Sequence, residues 1–153
     1  MSAVLQSPAV VVAMTDADLD EVMRIEREVY THPWTAGNFA DSLRAGYQCA
    51  TLRVRGVLAG YFVLLVAAGE AHLLNLSVDA GHQGRGYGKA LLEEVVGRCA
   101  RLGARSVFLE VRPSNHVAQA LYESRGFRRI AVRRGYYPAH GGREDALVYL
   151  REL

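Results

Sequence analysis

The sequence predicts a mixed α/β fold, with a largely antiparallel sheet and helices on both faces. Three observations carry this prediction. Residues 48–78 hold three apolar, β-rich runs separated only by the short turns Arg55-Gly56 and Ala68-Gly69, as in an antiparallel meander. From Gly86 onward, helical and strand-like stretches alternate. The chain has 153 residues, half of them hydrophobic and 22% charged, the size and balance of one domain that can bury a sizeable core. No repeat, low-complexity tract or linker interrupts it, so a single domain over residues 1–153 is expected.

The elements follow in order. "AVVVAM" (9–14) is a strand, and Thr15-Asp16 supplies the N-cap of a helix in which Leu19, Val22, Met23, Ile25 and Val29 recur near helical period. A short second helix is expected after "HPWTAGNF" (32–39), ending at Gly46. "QCATLRV", "LAGYFVLLVA" and "EAHLLNLSV" form the meander. From Gly86 to Leu102 the residues Leu91, Leu92, Val95, Val96, Cys99 and Leu102 make one helical stripe, closed by Gly103. "SVFLEVR" is a strand and "SNHVAQALYESRG" a helix ending at Gly126. "FRRIAVRR" and "EDALVYLREL" are the last two strands.

Composition excludes several classes. A net charge of +2 is too small to argue for nucleic acid, and the pairs Arg128-Arg129 and Arg133-Arg134 read as a solvated strand face. "MSAVLQSPAVVVAM" has no basic n-region, so it is not a secretory signal. No stretch approaches the roughly 20 apolar residues of a membrane-spanning helix. Cys49 and Cys99, far apart in apolar surroundings, are expected to be reduced, buried thiols of a cytoplasmic protein. His32, His72, His82, His116 and His140 show no ligand spacing, so no metal is expected.

Chemistry points first to "GHQGRGYGKA" (81–90), where glycines precede a helix and Arg85 and Lys89 stand among them. Unobstructed amides at a helix start attract an anion, and glycine lets a phosphate approach them closely. A P-loop is excluded, because Gln83 occupies its first glycine position and Ala90 its hydroxyl position. The dinucleotide fingerprint also fails, since Gly84, Gly86 and Gly88 are spaced by two throughout. The stretch does match Gln-x-x-Gly-x-Gly, at Gln83 to Gly88.

The second region is "SVFLEVRPSNHVAQALYESRGF" (106–127). Glu110 interrupts an apolar strand, where an unpaired carboxylate is costly. Taken alone, it reads equally as a strand-edge ion pair with Arg112 or as a functional carboxylate. Tyr122 reads as a core-edge aromatic or a ligand-facing phenol, and Asn115 as a helix cap.

The glycine loop together with Asn-x-x-Ala-x-x-Leu-Tyr-x-x-x-Gly-Phe (115–127) resembles the GNAT superfamily of N-acetyltransferases. Within it, "HPWTAGNF", "NLSVD", "LEVRPSN", "ALYESRGF", "RRGYYP" and "GREDAL" are similar, in this order, to the RimI-type ribosomal-protein alanine N-acetyltransferases. The resemblance implies a GNAT fold with a sheet of about seven strands, splayed at its centre. It implies acetyl-coenzyme A as co-substrate. Its pyrophosphate would lie on Gly84, Arg85, Gly86, Tyr87, Gly88 and Lys89, and its pantetheine along Leu76, Ser77 and Val78. Asn115 and Tyr122 would complete the cofactor contacts. Many relatives carry Arg where Gly84 stands, a departure that weakens phosphate attraction unless Arg85 compensates.

By the same resemblance Glu110 is the general base and Tyr122 the acid that protonates the leaving sulfur. The acceptor implied is the N-terminal alanine of a basic small-subunit ribosomal protein, held by Trp34, Tyr136, Tyr137 and Asp145. Those residues have bland readings too: Tyr136-Tyr137 as a packed strand end, and Glu144-Asp145 as a brace for the preceding loop through Arg143. No direct contact with nucleic acid or membrane is expected. Other acceptors remain open at this level, namely a small-molecule amine or an internal lysine. So does a non-catalytic acetyl-coenzyme A sensor or an RNA-associated domain.

Overall fold

The structure is a computed structural model that describes residues 9–153. Residues 1–8, part of the segment read as lacking a secretory signal, lie outside the described residues. Among the described residues seven strands form one sheet: β1 (Ala9–Ala13), β2 (Gln48–Val54), β3 (Val57–Ala67), β4 (Glu70–Val78), β5 (Ser106–Val111), β6 (Arg128–Ala139) and β7 (Gly142–Glu152). Their order is β1-β2-β3-β4-β5-β7-β6, and β4 with β5 is a parallel pair. The helices are α1 (Leu19–Val29), α2 (Ala36–Arg44), α3 (Tyr87–Arg101) and α4 (His116–Ser124). Among the described residues no helix is long and apolar enough to cross a membrane.

The chain divides into two compact units, one ending at Val63 and including Asn75–Leu92, the other made of Leu64–Leu74 and Glu93–Leu153. In the first, β1 pairs with β2 from Ala9↔Val54 to Ala13↔Ala50. Thr15 starts a 3-10 turn that leads into α1, its amide donating to Asp18 Oδ2 at 2.8 Å. One face of α1 buries Val22, Met23, Ile25 and Glu26. Helix α2 begins at Ala36, inside "HPWTAGNF" and earlier than expected, because Thr35 Oγ1 accepts from Asn38 N and caps it there. The core of this unit includes Phe39, Leu52, Leu58, Tyr61, Phe62, Leu91 and Leu92.

In the second unit β5 pairs antiparallel with β7 from Ser106↔Glu152 to Val111↔Leu147. Strand alternation buries Val107, Leu109 and Val111 and turns Phe108 and Glu110 to the opposite face. The α3 stripe buries Val95 and Cys99, but Leu102 lies past the helix end and is 52% exposed. Gly103 terminates the helix in a left-handed conformation, φ +79°. Strand β6 runs on to Ala139, well beyond the expected end at Arg134. Two irregularities in its register, at Arg129/Ala131 and Arg133/Tyr137, absorb the extra residues.

Candidate active site

The glycine loop forms as the sequence requires. Gly84 and Gly86 take φ of +79° and +85°, a conformation that side-chain-bearing residues adopt at a cost. The first hydrogen bond at the start of α3 runs from Ala90 N to Gly86 O, so the amides of Tyr87, Gly88 and Lys89 have no helical acceptor. Gln83 Nε2 donates to Val78 O at 3.0 Å and ties the loop to the end of β4.

Strand β4 offers main chain as well. Its parallel register with β5 covers only Glu70↔Ser106 to Leu73↔Leu109, while β4 continues to Val78. Leu76, Ser77 and Val78 therefore lie outside that ladder. Gly60 of β3 sits against this stretch: a Cβ there would stand 2.6 Å from Ser77 O, so only glycine permits the approach.

Behind β4 lies a buried polar network that sequence reading did not identify. Glu26 is 1% exposed, and its Oε1 accepts from Tyr61 Oη at 2.6 Å and from Asn75 Nδ2 at 3.3 Å. Its Oε2 accepts from Trp34 N at 3.0 Å. Ser77 Oγ donates to Asn75 Oδ1 at 2.7 Å and is 2.7 Å from Tyr30 Oη. Burial is the main cause that pushes the Tyr30 phenol up to about 12, and the Glu26 charge adds to it. Trp34 joins this network through its main chain, and its ring lies 5.0 Å from that of Phe39. The available signal was a carboxylate set into the apolar stripe of α1.

In the second unit the ion pair of Glu110 with Arg112, one of the two readings of that carboxylate, does not form. Arg112 Nη1 instead donates to Glu144 Oε1 at 3.0 Å, and its guanidinium stacks 4.4 Å from the Tyr137 ring. Glu110 Oε1 meets His72 Nε2 at 2.6 Å across the β4–β5 ladder. Sequence spacing carries no sign of this pair, whose members lie 38 residues apart. Glu144 Oε2 also accepts from Ser114 N, and Arg112 holds the Glu144 carboxyl below the usual carboxylate range.

Asp145 Oδ1 accepts from Gly135 N at 2.8 Å, and Arg143 donates to the carbonyls of Gly135 and Tyr136. Arg143 and Asp145 thus brace the β6–β7 hairpin directly. Tyr136 and Tyr137 meet edge to face at 4.9 Å on β6, and Tyr136 is exposed. Asn115 Oδ1 accepts from Ala118 N and caps α4. Tyr122 is buried near the end of α4, with ring centroids 5.8 Å from Phe127 and 6.4 Å from Tyr149. Burial pushes the Cys49 and Cys99 thiols up to about 11, which makes both poor nucleophiles. Among the described residues no group of three His, Cys, Asp or Glu side chains is arranged to hold a metal ion.

Comparison with known proteins is direct. The chain is 38% identical over 136 residues to the Escherichia coli [ribosomal protein bS18]-alanine N-acetyltransferase, covering 89% of this chain and 92% of that protein. It is 34% identical over 146 residues to a Bacillus subtilis protein described as a putative enzyme of the same kind, covering 94% and 95%. The crystal structure of the ribosomal-protein-S18-alanine N-acetyltransferase from Escherichia coli superposes with a TM-score of 0.88 at 35% identity, over 95% of this chain and 94% of that one. The acetyltransferase (GNAT) family model matches residues 19–127, and the chain belongs to that family.

Proposed function

We propose that this protein transfers the acetyl group of acetyl-coenzyme A to the N-terminal alanine amine of ribosomal protein bS18. The end-to-end similarity to the Escherichia coli enzyme carries the acceptor assignment. Work on a ribosomal protein also implies the cytoplasm.

The co-substrate reading draws support from the loop. The amides of Tyr87, Gly88 and Lys89, left without helical acceptors, suit a pyrophosphate, as do the charges of Arg85 and Lys89. Gly84 and Gly86 give the loop its left-handed turns. Leu76, Ser77 and Val78 offer main-chain groups to the pantetheine and an amide to polarise the thioester carbonyl. Asn115 would add a contact from the start of α4.

Two side chains carry the proton steps in this reading. The amine nitrogen attacks the thioester carbonyl carbon, forming the C–N bond. Its proton passes to Glu110, the C–S bond breaks, and Tyr122 protonates the departing sulfur. An α-amino group has a reference pKa near 8 against about 10.4 for lysine, so deprotonating a protein N-terminus costs roughly 3 kcal/mol less. A carboxylate suffices for that acceptor. Trp34, Tyr136, Tyr137 and Asp145 would shape the peptide groove.

The test offers labelled acetyl-coenzyme A and the purified protein to ribosomal proteins from a strain lacking the enzyme. Mass spectrometry should find the label on the bS18 α-amine. Label confined to lysine side chains, or no transfer at all, would overturn the reading.

A further inference from the structure

We propose that His72 is a positioning residue for the general base: its imidazole orients the Glu110 carboxylate, so that Oε2 receives the proton of the acceptor amine. The inference rests on the reading of Glu110 as base.

The pair is built into the sheet. His72 and Phe108 are register partners in the β4–β5 ladder, and their rings stack at 4.2 Å with 19° between planes. That stack sets the plane of the imidazole, and period-two alternation brings Glu110 to the same face as Phe108. The result is the 2.6 Å contact between His72 Nε2 and Glu110 Oε1. The Glu110 side chain is 7% exposed and that of His72 is 20% exposed. An ionised carboxylate only accepts hydrogen bonds, so Nε2 carries the proton and His72 donates.

The two carboxylate oxygens are thereby made different. Oε1 is engaged, whereas Oε2 is buried and has no hydrogen-bond partner among the described residues. Leaving a buried carboxylate oxygen without a hydrogen bond is costly, and a catalytic role is one reason for a fold to keep such an atom. The nearest cation, Arg133 Nη1 on β6, is 3.8 Å from Oε2, beyond hydrogen-bond reach. Strand β7 places apolar Val148 opposite Glu110, and Arg112 is engaged by Glu144. His72 and Arg133 are therefore the charged or titratable groups that face Glu110 from β4 and β6.

When the amine N–H bond breaks, its electron pair stays on nitrogen and an O–H bond forms at Oε2. Glu110 passes from anionic to neutral while Oε1 keeps the imidazole N–H.

The test compares His72→Leu, His72→Gln, Glu110→Gln and the double variant His72→Leu/Glu110→Gln in steady-state acetylation of a bS18 N-terminal peptide. His72→Leu should lower kcat about tenfold with KM little changed. His72→Gln keeps an N–H donor and should recover most of kcat. Adding His72→Leu to Glu110→Gln should cost nothing further. Unchanged kcat in His72→Leu, or an equal loss on the Glu110→Gln background, would overturn the positioning role and leave the base role standing. Full activity of Glu110→Gln would instead remove the base role, on which the proposal depends. Should His72→Leu fail to fold, His72→Phe, which keeps a ring against Phe108 without a donor, decides, and an unchanged kcat counts against the proposal.

Discussion

Tyr61 Oη donates to Glu26 Oε1 at 2.6 Å, joining the middle of β3 to a carboxylate on the buried face of α1. The same carboxylate accepts from Trp34 N and Asn75 Nδ2, so one side chain satisfies donors from three separate segments. Burial and the neighbouring Glu26 charge both drive the Tyr61 phenol far above its ordinary range, so the hydroxyl stays a donor at any working pH. Replacing Glu26 with alanine would strand all three donors. The expected cost is about 3 kcal/mol, or a fall in melting temperature of about 10 °C. Glu26→Gln, which keeps one acceptor oxygen, should lose less, and differential scanning calorimetry of the two variants checks the order.

Gly86 has φ +85° and nothing within 4 Å of the place a Cβ would occupy. A substitution there is penalised by backbone conformation, at about 1–2 kcal/mol, with no clash to add. If the loop holds pyrophosphate, relaxing that φ turns the amides away from it. Gly86→Val should weaken coenzyme A binding about tenfold or more by titration calorimetry, with a much smaller change in melting temperature. Unaltered affinity would remove the pyrophosphate assignment.

Arg112 Nη1 donates to Glu144 Oε1 at 3.0 Å, which is the largest cause of the lowered Glu144 pKa. A carboxylate depressed in the folded state contributes stability above its unfolded value, near 4.3, and that contribution is lost as pH falls through the folded value. The stability difference between the wild type and Glu144→Gln should therefore be full at neutral pH. It should shrink below about pH 4. Thermal unfolding across that range tests it. A difference independent of pH would mean that the variant acts through packing.

Much of this architecture was legible because local chemistry decides it. Arg55-Gly56 and Ala68-Gly69 each place two successive residues at positive φ, the turn that right-twisted hairpins demand. The glycine loop is likewise a local statement, with its conformation written in its own residues. Glu26 and His72 were not legible, because their roles depend on register and packing over long sequence separations. Tyr61 is 35 residues from Glu26, and Glu110 is 38 from His72. Arg112 misled for the same reason: two positions from Glu110 on β5, it is drawn to Glu144 on β7. The reach of β6 to Ala139 was hidden by Pro138, which an edge strand tolerates because one side of its backbone needs no partner.

Cys49 and Cys99 are buried, and burial raises both thiols to about 11. At neutral pH about one thiol in ten thousand is then ionised, and the thiolate is the reactive species. Alkylation by iodoacetamide should be negligible in the folded protein and reach both cysteines in denaturant. Acetyl transfer should be unaffected by brief treatment. Inactivation with labelling of Cys99 would show that its surroundings open on the timescale of the reaction.

Tyr122 is buried by Phe127 and Tyr149, so its ring is held by packing whatever its hydroxyl does. This separates the two functions of one side chain. Tyr122→Phe keeps the ring and should leave the melting temperature within about 2 °C. If the hydroxyl protonates the leaving sulfur, kcat should fall by about a hundredfold or more while coenzyme A affinity changes little. An acyl-donor thioester with a more acidic thiol leaving group needs less protonation, so the deficit should narrow with such a donor. Full activity with the natural donor would remove the acid role. An equal deficit with both donors would instead assign Tyr122 to binding geometry.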